Sequence, residues 1–487
     1  MNEKQKWTQK QLYLPYEEWP KETRTALKKM VSASPWRTTY HIEPSTGLLN
    51  DPNGFTFFDG HWQLSYQSFP YGPVHGLKSW HRLTSPDLVH WQDEGDFLLP
   101  DSPYDAQGVY SGSAISLSPD ILFIMYTGNV RTADWKRKTY QNGALMNRTG
   151  EVTKMTRPLI QRPDNLTEHF RDPMLFMQRQ NLYVLIGGQS RSDHAGIMLL
   201  FRCTKNIRHW TFVGNVNAGI SHWGYMVECP NFVVVDHHPV LIFSPQGLDQ
   251  SVLCYDNRYP TVYLSGTSFD ASSATLNDPT DLHLLDEGFD NYATQAFNSP
   301  DGRTLSISWI GMPETSYPTD DYGYDGALSL VNELKWQDGR LIQSPVKETL
   351  ELRKPEKVLN PDKTYLTTNS YELHVHVQNG EKTTLSLFDN PEHTIHLQVT
   401  LDTIEGVVTI DRQTFSWPTD PNDNQRRLIR LESHQAIDIT IFADISIFEC
   451  YINGGAHRAT GRVFPDKDGN GLSITGHTRA KYFEMKK

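Results

Sequence analysis

Five times along this chain a polar or acidic tripeptide opens a short apolar strand that turns back through a second one. The openings are Asn50-Asp51-Pro52 before Phe55–Gln67, Ser111-Gly112-Ser113 before Ala114–Gly128, Arg171-Asp172-Pro173 before Met174–Gly187, Glu228-Cys229-Pro230 before Asn231–Ser244, and Tyr292-Ala293-Thr294 before Gln295–Gly311. Aromatic and β-branched residues on both sides of a Gly, Asp or His turn favour extended backbone that reverses on itself. In the first pair Phe55–Phe58 and Trp62–Gln67 flank Asp59-Gly60. The openings recur at intervals of about sixty residues, which suits four-stranded propeller blades carrying long loops. The expected fold class is therefore all-β, beginning with a five-bladed β-propeller.

In a propeller the first strand of every blade lines the central channel, so the residues that open each repeat face one funnel. Asp51, Asp172 and Glu228 hold equivalent places in repeats one, three and four and are expected to converge there. For any one of them the plainer reading is a turn or capping acid. Asn277-Asp278-Pro279 makes the point, repeating the tripeptide in a polar stretch with no hairpin behind it. Three acids in register, not the tripeptide, favour a site.

Before the repeats, Glu18–Met30 is the best helix candidate, with Pro20 near its start and Ala26, Leu27, Met30 and Val31 as apolar positions. Residues 1–33 are read as an N-terminal helical cap and 34–353 as the propeller. The charged, proline-containing stretch 354–364 has the composition of a linker. From 365 to 487 alternation resumes at Thr383–Leu387, Thr394–Leu401, Val407–Asp411, Ile437–Phe442 and Ile445–Ile452, as expected of a β-sandwich.

Composition narrows the function classes. Hydrophobic residues are 38% of 487, and no apolar run is long enough to cross a bilayer. Met1 to Lys10 is polar with no apolar segment after it, so no signal peptide is expected and a cytoplasmic location is the default. Cys203, Cys229, Cys254 and Cys450 lack zinc-site or disulfide-framework spacing. The adjacent pair His237-His238 precedes a proline in a turn, so no metal or other cofactor is expected. A net charge of −12 argues against nucleic acid and anionic membranes as partners.

Several motifs carry a resemblance. Tyr40-His41-Ile42 through Gly47-Leu48-Leu49-Asn50-Asp51-Pro52-Asn53-Gly54, then Tyr110-Ser111-Gly112-Ser113-Ala114, Phe170-Arg171-Asp172-Pro173 and Glu228-Cys229-Pro230, resemble the invertase and fructosidase family of glycoside hydrolases, family 32. Gly288–Ala293, Ser308–Gly311, Phe442–Gly454 and Gly461–Pro465 extend the likeness to nearly the whole chain from Ser34. Ser34–Arg37 and Gly72–Lys78 are most similar to the bacterial branch that cleaves sucrose 6-phosphate.

The resemblance implies the same propeller and sandwich, and it implies roles. Asp51 would attack the anomeric carbon of a β-fructofuranosyl unit, Glu228 would act as general acid and then base, and Asp172 would hold the fructose hydroxyls. Asn50, Gln67, Tyr110, Ser111, Arg171 and Trp309 match sugar-pocket positions, and Trp80 matches one of two nearby tryptophans. A retaining glycosidase needs an ionised nucleophile beside a protonated acid, which burial and neighbouring charge can provide. Arg171 is expected to keep Asp172 charged. The substrate class is a small sugar: sucrose 6-phosphate, sucrose or short fructans.

Two departures bear on specificity. His75 stands where the family has its first pocket tryptophan, and Lys78, His81, Arg82, Arg131 and Lys136-Arg137-Lys138 lie close by in sequence. They are candidates for a phosphate-binding rim, with solvated loop charges as the alternative. Val331-Asn332-Glu333-Leu334 replaces the family's Pro-Arg-Glu-Leu. Fructosyl transfer, short-fructan hydrolysis and a non-catalytic sugar-binding propeller are the competing readings.

Overall fold

The computed structural model describes residues 6–417 and 424–486. Two-residue turns with both residues left-handed close two of the expected hairpins, Asp59-Gly60 at φ 49° and 76° and Asp236-His237 at 46° and 73°, and a further one not expected from the sequence, Asp338-Gly339 at 51° and 79°. That pair of positive φ values matches the twist of antiparallel strands, so each turn fixes the register of the strands it joins.

Among the described residues the N-terminal part holds a two-stranded ribbon of Ser268–Asp270 with Thr275–Asn277 and, separate from it, five sheets of four principal antiparallel strands each. Their innermost strands, Gly47–Phe58, Val109–Ser118, Leu166–Gln178, Met226–Val235 and Tyr292–Asn298, pack side by side in that order, and the last packs back on the first. Inner edges expose backbone N–H groups, which need partners when buried. Polar side chains of the adjoining sheet supply them. Asn53 Oδ1 accepts from Gly112 N at 2.8 Å, Ser113 Oγ from Leu175 N at 2.8 Å, Asn231 Oδ1 from Ala296 N at 2.9 Å, and Gln295 Oε1 from Phe55 N at 2.6 Å. Tyr324–Asp325 adds a short parallel strand on Gly47 and Leu48. Asn332–Gln337, at the site of the Val-Asn-Glu-Leu departure, pairs normally with Thr304–Ser306.

Two six-stranded sheets make up the C-terminal part and share one core. Leu373, Val375, Ile439, Ile441 and Cys450 of one sheet meet Leu385, Leu387, Val399, Ile410 and Leu472 of the other. The segment expected to be a linker is not one throughout: Lys357–Leu359 is an edge strand paired with Ala480–Glu484. Its charged sequence reads as a linker because an edge strand needs only one covered face, and its partner lies at the far end of the chain.

Both parts meet across a polar boundary. His41 is fully enclosed between Asp444 Oδ2 at 2.9 Å and Glu449 Oε1 at 3.0 Å. Asp444 also accepts from the backbone N–H groups of Thr39, Tyr40 and His41. Burial opposes a charge on His41, but the two carboxylates outweigh it and raise its pKa to about 9.

The expected helix is displaced. It runs Lys21–Ser32, with Pro20 as its N-cap, and only Val31 of its apolar positions is buried. Ahead of it Trp7, Tyr13, Tyr16 and Trp19 pack on Phe69, Tyr71 and Leu77. The Tyr16 hydroxyl lies 2.8 Å from Leu77 O and 3.0 Å from Ser79 Oγ, so the N-terminal segment braces the loop that carries His75 and Lys78. No helix among the described residues is long and apolar enough to cross a membrane.

Candidate active site

All five innermost strands break their pairing at one level. The breaks fall between Leu49 and Pro52, Val109 and Gly112, Arg171 and Met174, Glu228 and Asn231, and Tyr292 and Gln295. Such a bulge sets two residues against one and re-aims their side chains. In the last three sheets the first bulged residue is left-handed: Asp172 at φ 63°, Cys229 at 45° and Ala293 at 52°. Non-glycine residues adopt this conformation at a cost, and such strain gathers at functional sites.

The bulges correct the expected register. Arg171 faces Gly187 and Glu228 faces Ser244 as the last regular pairs, whereas Asp172 and Cys229 both lie inside bulges. Glu228 is thus equivalent to Arg171 and not to Asp172.

The three acids converge nonetheless, around Cys229. Its thiol lies 3.9 Å from Asp51 Oδ2 and 3.8 Å from Asp172 Oδ2, and its backbone N–H donates to Asp172 Oδ2 at 3.1 Å. Asp51 accepts at both oxygens: Oδ1 from Asn50 Nδ2 at 3.0 Å, Oδ2 from Ser111 Oγ at 2.5 Å and Gln67 Nε2 at 3.1 Å. Glu228 Oε1 accepts from Arg171 Nε and Nη2 at 2.9 and 2.7 Å, and Oε2 from the Tyr292 hydroxyl at 2.6 Å.

Burial raises the pKa of Asp51, and the charge of Glu228 adds to it; Ser111, Asn50 and Lys78 work against the rise. For Asp172, burial together with Glu228 and Asp51 outweighs Arg171 and carries the pKa to about 7. Arg171 spends its hydrogen bonds on Glu228 and His169, so it favours the ionised form of Asp172 by charge alone and only partly offsets burial. The same carboxylates and burial hold the Cys229 thiol well above its usual range, so it stays protonated.

Of the expected sugar-pocket residues, Asn50, Gln67, Ser111 and Arg171 touch the acids directly. Tyr110 follows on the same strand, half-buried, beneath the Arg137 guanidinium 5.8 Å from its ring. Trp309, also expected in the pocket, is 2% exposed within the core of Leu49, Leu64 and Leu305 and reaches the site only through edge contacts with Tyr292 and His75, each at 6.4 Å; its expected place is corrected to one of support, and His75 is exposed. Trp80 is enclosed as well. It is 1% exposed within the core of Phe58, Leu98, Val109 and Tyr126, with its indole N–H on Tyr110 O at 3.0 Å. It offers no face to a ligand, and its expected place in the pocket is corrected to one of support.

Lys78 also departs from expectation. It is 2% exposed and its ammonium donates to Asn50 Oδ1, so it does not stand on a solvent rim. Tyr292, Cys229 and His169 are site residues to which sequence reasoning gave no role. Tyr292 and Cys229 lie within the tripeptides that open their repeats, which was the available signal.

Comparison with known proteins agrees with this geometry. Residues 41–345 match the model of the glycosyl hydrolases family 32 N-terminal domain, and 340–485 that of the family 32 C terminal. The sucrose-6-phosphate hydrolase of Pediococcus pentosaceus is 44% identical over 97% of this chain and 95% of its own length. That of Lactococcus lactis subsp. lactis is 43% identical over 99% of this chain and 100% of its own. Among solved structures, sucrose-6-phosphate hydrolase from Lactobacillus gasseri superposes with a TM-score of 0.95 at 39% identity, covering 99% of both chains. A Bombyx mori GH32 beta-fructofuranosidase mutant in complex with sucrose gives 0.83 at 26% identity, covering 96% of this chain and 99% of that one. Two family models tile the chain and full-length relatives exceed two-fifths identity, so the chain belongs to glycosyl hydrolase family 32.

Proposed function

We propose that this glycosyl hydrolase is a retaining β-fructofuranosidase that cleaves the fructosyl bond of sucrose 6-phosphate, of sucrose, or of both. The observation that carries the reading is the meeting of Asp51, Asp172 and Glu228 around Cys229, each carboxylate held by a different set of donors. Likeness to the sucrose-6-phosphate hydrolases adds the substrate class.

In the first step an Asp51 oxygen attacks the anomeric carbon of fructose as the bond to the leaving-group oxygen breaks, and Glu228 gives that oxygen a proton. In the second, Glu228 takes a proton from water, whose oxygen attacks the same carbon and frees Asp51. Asn50, Ser111 and Gln67 fix the Asp51 carboxylate for attack. Asp172 accepts from fructose hydroxyls and, once ionised, opposes the positive charge that builds on the ring. Gln67 and Arg171 donate to hydroxyls, Tyr110 and His75 border the leaving group, and Trp309 supports His75 from the core.

In this reading the five sheets are blades of a β-propeller ending near Arg353, the closed cycle of inner strands is its channel wall, and the two six-stranded sheets are a β-sandwich. The three competing readings separate in one experiment. Wild type, Asp51→Ala and Glu228→Gln are given sucrose 6-phosphate, sucrose and a short fructan, while free glucose or glucose 6-phosphate, free fructose and the first anomer released are followed by NMR. The expected result is β-fructofuranose first, with losses on the order of 10⁴-fold in the variants. Release of the α anomer would overturn retention, and a wild type no better than its variants would overturn the enzyme reading.

A further inference from the structure

The basic residues that flank the first two strand pairs have different fates. His81 is taken by Asp93 at 2.6 Å, Lys136 by Asp134 at 2.6 Å, and Arg82 by Gln63. Lys78 is buried on Asn50, and Lys138 lies over the ring of Tyr140. Arg131 and Arg137 remain. They are paired residues of one antiparallel hairpin, Ile121–Arg131 against Arg137–Asn147.

Like charges placed directly opposite on neighbouring strands repel each other. In a chain with 57 acidic residues against 45 Lys and Arg, the usual remedy is a carboxylate. Here no ion pair is formed by either arginine among the described residues, Glu168 acting on Arg137 only through its charge, and the Nε of each is buried without a hydrogen-bond partner. The pair is also held in place. Arg131 reaches the Trp135 carbonyl at 3.4 Å and lies over its ring, and the backbone N–H of Thr132 closes the loop onto Lys136 O. Tyr13 packs edge-on against Trp135 at 5.2 Å from outside.

The location connects the pair to the chemistry. Arg137 lies over Tyr110, whose chain neighbour Ser111 donates to Asp51. Arg137 also acts on His169, which is bonded to Arg171 and through it to Glu228. Two fixed guanidinium groups with free donors suit a phosphate dianion better than a hydroxyl, because each offers a planar fork and together they match its charge.

We propose that Arg131 and Arg137 jointly bind the phosphate monoester on the leaving-group sugar and so set the preference for phosphorylated over plain substrate. This rests on the fructosidase reading above. The test is the ratio of kcat/KM for sucrose 6-phosphate to that for sucrose, in wild type, Arg131→Gln, Arg137→Gln and the two lysine variants. Each glutamine variant is expected to lower the ratio about 10- to 100-fold, as for loss of a charge-assisted hydrogen bond; lysine, which keeps the charge without the fork, restores part of it. In wild type, inorganic phosphate should inhibit sucrose hydrolysis competitively, a readout independent of how the variants fold.

A ratio unchanged by either substitution would overturn the inference and leave the fructosidase reading standing. So would a wild type that neither prefers the phosphorylated sugar nor responds to phosphate. A wild type inactive on both sugars would overturn both.

Discussion

Lys78 donates from its buried ammonium to Asn50 Oδ1, and Asn50 Nδ2 in turn donates to Asp51 Oδ1 at 3.0 Å. Burial lowers the Lys78 pKa to about 7 against the pull of Asp51 and Asp325; below that pH the group is an ammonium with no acceptor capacity, so the amide presents its N–H side to the acid. Lys78 thereby orients a contact of the proposed nucleophile that it does not itself touch.

Replacing Lys78 by Met keeps the bulk of the stem and removes the donor. With the Asn50 amide free to turn, kcat is expected to fall roughly 10- to 100-fold, the usual loss when a group that orients a functional residue is removed. Charge enters as well, because Lys78 lowers the pKa of Asp51. The acidic limb of the kcat/KM profile should therefore move to higher pH in the variant. An unmoved limb with unchanged kcat would assign Lys78 to packing alone.

Asp172 gives a second pH effect. Burial and the two neighbouring acids raise its pKa to about 7, so in the empty site it is largely protonated below pH 7 and ionised above. An ionised Asp172 is the better acceptor and the better counter-charge for the fructosyl ring. The kcat/KM profile should rise through an inflection near 7 that Asp172→Asn lacks, with kcat lower on the order of 10²- to 10³-fold. Pre-steady-state measurement would locate the loss in formation of the fructosyl-enzyme.

At the boundary between the two parts, His41 makes stability depend on pH. Its folded pKa is about 9 against an ordinary value of 6.5, so its contribution is complete below about 6.5 and is lost as pH rises through 9. Thermal midpoints should decline across that window in wild type and decline less in His41→Asn. At pH 6 the variant is expected to be weaker by about 3 kcal/mol, the equivalent of the rise from 6.5 to about 9, because it removes the cation between Asp444 and Glu449 while backbone N–H groups and Arg458 still serve the two acids.

Much of the fold was legible because strand pairs announce themselves through alternation and turn residues, and every expected pair from Phe55 to Gly311 forms. The acids were legible because each stands just ahead of an apolar run, although the strands begin earlier and hold the acids at or beside their bulges. Their register was not, since nothing in the composition marks where a bulge begins: Asp172 is the first residue inside its bulge and Glu228 the last regular residue before its own. The burial of Lys78 was hidden too. A lysine reads as solvent-exposed until the Asn50 amide and the aromatic brace of Tyr16 and Trp19 are seen around its loop. Trp80 carried no mark to separate a ring under the site from a ring within it. The strand Lys357–Leu359 depends on a partner more than a hundred residues later, so no local pattern could reveal it.

Closure of the inner ring has a consequence for biosynthesis. Gly47 and Leu48 gain their parallel partner only when Tyr324 and Asp325 have been made, more than half the chain later, and His41 waits for Asp444 and Glu449 near the end. A nascent chain emerging from the ribosome therefore carries the Asp51 strand for most of translation without the neighbours that close it. Such late long-range pairing folds slowly and leaves strand edges exposed in the meantime. The segment that bears the proposed nucleophile is among the first to be synthesised and among the last to be locked.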